Sequence, residues 1–176
     1  RARNALLADI VGWEERGEPQ DAVGNAVLKY YGEELAAVRR RLREFEVHDS
    51  AGLARLLTEW EGLQRWLAPW RDCVLGSPRN GKEDGYIGSL SMVVDPGDTP
   101  HRFYPAKVAL DLRIVERVFG QPVDPYTLDV TDCSGKEPEA CGSRFDRITP
   151  RKGTLTWTLL DGKHRPFTIR FRELSK

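Results

Sequence analysis

The 176-residue sequence is short of the residues that most often carry chemistry: three cysteines, three histidines and one methionine. So few cysteines exclude a disulfide-dense miniature scaffold. The histidines His48, His101 and His164 stand far apart in turn-like sequence, and none has a second ligand at helical or strand spacing. No Gly-x-Ser-x-Gly elbow occurs. No apolar run approaches the roughly 18–20 residues that cross a bilayer. Charge of one sign is also missing: 27 basic residues balance 27 acidic ones, so no global field draws the chain to nucleic acid or membrane. The chain opens on Arg1 rather than Met, as expected of a piece of a longer polypeptide.

What is present divides into a helical part and a strand-rich part. Leu6, Leu7, Ile10 and Val11 fall at helical spacing, and Gly17-Glu18-Pro19 is a stop. Asp21 is placed to cap a second helix whose stripe runs through Val23, Val27, Leu28, Tyr31, Leu35, Val38, Leu42 and Phe45. Asp49 or Ser50 opens a third, with Leu53, Leu56, Leu57, Trp60, Leu63, Leu67 and Trp70 on one face, ending near Gly76-Ser77-Pro78. Trp60 and Trp70 belong to the core on this reading. Trp66 lies off the stripe and is the interface candidate, because indoles make rigid anchors. Arg39-Arg40-Arg41-Leu42-Arg43 reads as a solvated helix face among neighbouring glutamates rather than a phosphate patch.

After Tyr86 the period changes to two. Leu90, Met92 and Val94 alternate with more polar neighbours, as do Tyr126, Leu128 and Val130. Leu155, Trp157 and Leu159, then Asp161-Gly162, then Phe167, Ile169 and Phe171 predict a terminal hairpin. Residues 105–120 satisfy both periods; strand is preferred slightly, which would place Asp111, Arg113 and Lys107 on a wet face. The fold class is therefore α+β: a helical subdomain over 1–76 of about three helices, a linker over 77–85, and an antiparallel β-sandwich over 86–176.

The candidate chemistry thins on inspection. Gly76 to Lys82 has the spacing of a phosphate loop, but a helix is expected before it, Glu83 follows the lysine and Pro78 removes an amide. No metal site and no cofactor are expected. Cys133 and Cys141 bracket a polar loop, and a disulfide closing it is the preferred reading, implying an oxidising compartment; a metal pair and two free thiols are the rivals. From Gly142 to Lys176 nine basic residues face three acidic ones, and alternation sets Arg170 and Arg172 on the outer face of the last strand, with Arg165 near its turn. An edge guarded by charge explains these better than base recognition, since no aromatic ladder shares their face.

The order of parts, with Gly153-Thr154-Leu155-Thr156-Trp157 and Asp161-Gly162 leading to Phe167-Thr168-Ile169-Arg170-Phe171, resembles the periplasmic C-terminal region of IcmF-type proteins. These are inner-membrane components of the type VI secretion apparatus. That family's Gly-Pro-Trp segment near the end is not present. The resemblance implies a helical subdomain before a β-sandwich that contacts a lipoprotein, outside the cytoplasm.

The leading expectation is a non-enzymatic interaction module using Trp66, Arg165, Arg170 and Arg172 toward a protein partner. A hydrolase or transferase with a site at the helix–sheet seam, built on Asp98, His101 and Asp111, is the second reading. A nucleic-acid module using the three arginines is the third, and nucleic acid is the less favoured partner.

Overall fold

The computed structural model describes residues 2–17, 21–44, 49–76, 85–94, 103–159 and 165–174. The chain divides into two compact units, Arg1–Ala68 and Pro69–Lys176.

The first unit holds α1 (Ala2–Arg16), α2 (Ala22–Glu44) and α3 (Ser50–Leu67). Asp21 caps α2 by accepting from the Gly24 N–H at 2.9 Å, and Asp49 caps α3 by accepting from the Gly52 N–H at 2.8 Å. The predicted stripe of α2 is the buried one: Val23, Val27, Tyr31, Leu35, Val38 and Leu42 meet the core. Phe45 lies outside the described residues. Leu6, Ile10 and Trp13 of α1 complete this core with Leu56, Trp60 and Leu67 of α3. The basic run joins helices: Arg39 pairs with Glu14 of α1, and Arg41 with Glu59 of α3 at 2.6 Å.

The third helix stops earlier than its apolar stripe predicts. Pro69 lacks an amide hydrogen and crowds the preceding turn, so α3 ends at Leu67 and a 3-10 turn, Ala68–Trp70, follows. Trp70 is fully buried, but from that turn rather than from a helix face.

The second unit is two antiparallel sheets. Its strands are β1 (Val74–Gly76), β2 (Tyr86–Val94), β3 (Tyr104–Asp111), β4 (Asp129–Asp132), β5 (Glu139–Cys141), β6 (Ser143–Thr149), β7 (Lys152–Leu159) and β8 (Arg165–Arg172), with α4 (Leu112–Phe119) after β3. One sheet runs β1-β2-β8-β4-β5 and the other β3-β7-β6. Residues 74–76, read from the sequence as the tail of the helical subdomain, are thus an edge strand. Residues 77–84 of the expected linker lie outside the described residues.

The expected terminal hairpin is not formed. β7 and β8 alternate as predicted, but β7 pairs with β3 and β6, whereas β8 pairs with β2 and β4. They belong to different sheets and meet through their side chains, with the Trp157 and Phe167 rings 5.5 Å apart. Alternation specifies one apolar face, and that face can be buried across a sandwich as well as along a hairpin. Asp161-Gly162 lies outside the described residues.

Residues 105–120 resolve into both predicted periods in turn. Strand β3 ends at Asp111, which caps α4 by accepting from the Arg113 N–H at 3.1 Å. Gly120 closes α4 in the left-handed region, with φ of 71° and its N–H on the Glu116 carbonyl. The slight preference for strand over 112–119 was wrong, and of the expected wet face Lys107 is exposed and Arg113 half-buried, but Asp111 is not wet. Asp111 is completely buried, ion-paired to Arg113 at 2.6 Å and facing Lys152 across the strands at 3.7 Å.

Two consecutive strands, one in each sheet, link the sheets on one side. β5 pairs with β4, the chain passes Gly142, and β6 then pairs with β7. Ser143 Oγ donates to the Leu128 carbonyl at 2.9 Å, Arg147 lies over the Tyr126 ring at 4.8 Å, and Arg151 donates to the Val123 carbonyl at 3.1 Å. The segment between α4 and β4 therefore runs beside β6.

Candidate functional site: the outer face of the five-stranded sheet

The strand register lays out this face in rows. On β8, Phe167, Ile169 and Phe171 are buried, so Pro166, Thr168, Arg170 and Arg172 point outward. Pro166 pairs with Val93 of β2. Thr168 pairs with Ser91, which pairs with Val74, and on the other side with Thr131. Arg170 stands between Ser89 and Asp129, and Arg172 opposite Tyr86. A register shift between Tyr86 and Gly88 keeps Tyr86 and Ser89 on one face.

Three chemical zones follow. At one end Val93, 63% exposed, pairs with the exposed Pro166, and Val74, 68% exposed, stands diagonally from Val93 on the edge strand, in register with Ser91. In the middle the Ser91 and Thr168 hydroxyls share a hydrogen bond at 3.0 Å, and the Cys133 thiol reaches Thr168 Oγ1 at 3.4 Å. At the far end two guanidiniums lie over the Tyr86 ring, Arg172 at 4.3 Å and Arg170 at 5.5 Å from its centroid. The Tyr86 hydroxyl donates to Asp129 and accepts from Arg172 at 2.7 Å, and Arg172 also reaches Asp129 at 3.3 Å. Slight burial works against the Arg172 charge, but Tyr86 and Asp129 outweigh it and hold its pKa above the ordinary value.

The three arginines singled out by sequence are thus employed differently. Arg165 is not on this face. It pairs with the buried Asp132 at 2.7 Å and reaches Ser134 Oγ at 3.1 Å. Burial opposes ionisation of Asp132, but the Ser134 hydroxyl and amide and the Arg165 charge prevail, lowering its pKa. Arg172 is engaged with Asp129. Arg170 has only its stacking on Tyr86: among the described residues it has no hydrogen-bonded or ionic partner. Trp66 belongs to the helical unit, half-buried, with Arg65 5.4 Å over its ring. Sequence reasoning missed Tyr86, Asp129, Val74 and Val93, because their convergence depends on which strands pair.

The expected disulfide is a correction. Cys133 and Cys141 are free thiols. In the β4–β5 ladder Cys141 lies opposite Val130, three residues before Cys133. That offset is about 10 Å along a strand, beyond the Cα separation of roughly 4.4–6.8 Å that a disulfide spans. The parity also differs, with Cys133 outward and Cys141 opposite the buried Val130. Burial, together with the charges of Asp132 and Glu139, raises the Cys141 pKa, which disfavours its thiolate.

Of the seam residues, Asp98 and His101 lie outside the described residues, as do His48 and His164, while Asp111 is occupied as a helix cap. The phosphate-loop spacing at Gly76 is preceded by strand β1, not by the expected helix; the next described element is strand β2 rather than the helix such a loop needs. No group of three or more His, Cys, Asp or Glu suited to a metal occurs among the described residues. No helix among them is long and apolar enough to cross a membrane. No family model, curated protein or solved structure matches the chain.

Proposed function

We propose that this chain is a protein–protein interaction domain of a larger assembly protein, with the outer face of the five-stranded sheet as its docking surface. The observation that carries the reading is the exposure of the paired Val93 and Pro166, with the exposed Val74 diagonal to Val93, on a sheet face that also presents Arg170. Exposed aliphatic side chains clustered beside a charged rim are the composition of a recognition surface rather than of an ordinary wet sheet face. The ionisable groups best placed for chemistry, Asp111, Asp132 and Asp129, are tied into caps and ion pairs that hold the fold.

A place in a cell-envelope secretion assembly rests on the resemblance to the IcmF-type periplasmic region, in the order of helical and β parts and in the β7 and β8 sequences. Retention assays with the immobilised chain and an envelope extract test the reading. At least one protein retained by the wild type should be lost with Val93→Asp; equal retention by both would contradict it.

A further inference from the structure

The chemistry of the partner follows from two features of the same face, and the inference rests on the interaction reading above. We propose that the face takes an extended partner segment carrying a carboxylate that seats on Arg170 and an aliphatic side chain that seats on Val74, Val93 and Pro166.

Arg170 lies on the central strand of the sheet, half-buried, with its guanidinium against the Tyr86 ring. That contact restrains the group and, among the described residues, leaves its N–H donors without an acceptor. A planar fork fixed in this way is suited to a bidentate carboxylate. The neighbouring carboxylate, Asp129, is directed at Tyr86 and Arg172, so it does not neutralise Arg170. Among the described residues one positive charge in this cluster is left without a counter-ion, and the Ser89 hydroxyl beside it has no partner. The aliphatic end lies four residues away along β8, at Pro166. Four residues of strand span about 13 Å. An extended partner with an acidic and an aliphatic residue four positions apart matches that span and presents both side chains on one face.

Selection of a random dodecapeptide phage library on the purified full chain tests this without knowledge of the natural partner. Enriched peptides should carry Asp or Glu four positions from Val, Ile or Leu. Anisotropy titration of the best peptide should show binding weakened about 10-fold or more by Arg170→Ala, as for a lost charge-assisted hydrogen bond. Replacing the peptide's carboxylate by its amide should weaken it equally. Arg170→Lys should lose part of the affinity, Val93→Asp most of it, and Arg40→Ala on α2 none. Circular dichroism of each variant checks that the fold is kept. Enriched peptides lacking an acid, or insensitive to Arg170→Ala and Val93→Asp alike, would overturn the proposed partner chemistry while leaving the interaction reading standing. No enrichment at all would count against both. Steeply salt-dependent binding of an oligodeoxynucleotide to this face, in place of acidic peptides, would also overturn the proposal.

Discussion

Asp132 and Arg165 show how much a single pair can bear. The carboxylate is buried, and its lowered pKa means that the folded state favours the ionised form more than the unfolded chain does. Its contribution is therefore fully present above the ordinary aspartate pKa of about 4. It is lost as pH falls below that value through the lower, folded-state pKa. Arg165→Met should remove the counter-charge and destabilise the fold by about 1–3 kcal/mol in urea denaturation at neutral pH. The paired change Arg165→Met with Asp132→Leu should recover much of that loss, because no charge is then left stranded. Recovery that is no better than the single variant would show that packing, not charge, decides the effect. Arg165 was legible in the sequence as a basic residue near a turn, but its partner was not, since Asp132 arrives from another strand 33 residues earlier.

Elements here are joined by close approaches that leave no room for a side chain. A Cβ at Gly88 would collide with the Phe119 ring of α4, so the bulged end of β2 accepts the helix only because position 88 is bare. Gly88→Ala should cost about 1–3 kcal/mol as overpacking. Adding Phe119→Leu should recover part of it, which thermal melts of the single and double variants would register. Gly120→Ala should cost about 1 kcal/mol for a different reason, the left-handed φ at the end of α4. The two halves of 105–120 explain why this stretch defied one period. A capping aspartate sits where strand alternation also fits, and the Arg113 N–H together with the ion pairs to Arg113 and Lys152 offsets the burial of that carboxylate.

At the scale of the whole molecule, the apolar faces of two sheets meet through β7 and β8. A double-mutant cycle on Trp157→Leu and Phe167→Leu should give a coupling of about 0.5–1.5 kcal/mol, the usual worth of a packed aromatic pair. Additive effects would place the two rings apart. The late cysteines take no part in holding these layers together. Reductant should therefore leave the denaturation midpoint unchanged, and Cys133 and Cys141 should both react with a thiol reagent in the unfolded chain without prior reduction. A midpoint that falls on reduction would restore the cross-link.

The sequence by itself determined the helical and strand-rich halves, the caps Asp21 and Asp49, and the inward residues of α2, β7 and β8. Each of these depends on spacing and local hydrogen bonding within a few residues. Strand partnership was decided only in the tertiary structure, since an alternating strand is satisfied by any apolar layer against its inner face. That choice separated Cys133 from Cys141, moved β7 and β8 into different sheets, and brought Tyr86, Asp129 and Arg170 together from three strands. The candidate site is a product of strand register, and register is a long-range property that no local pattern encodes.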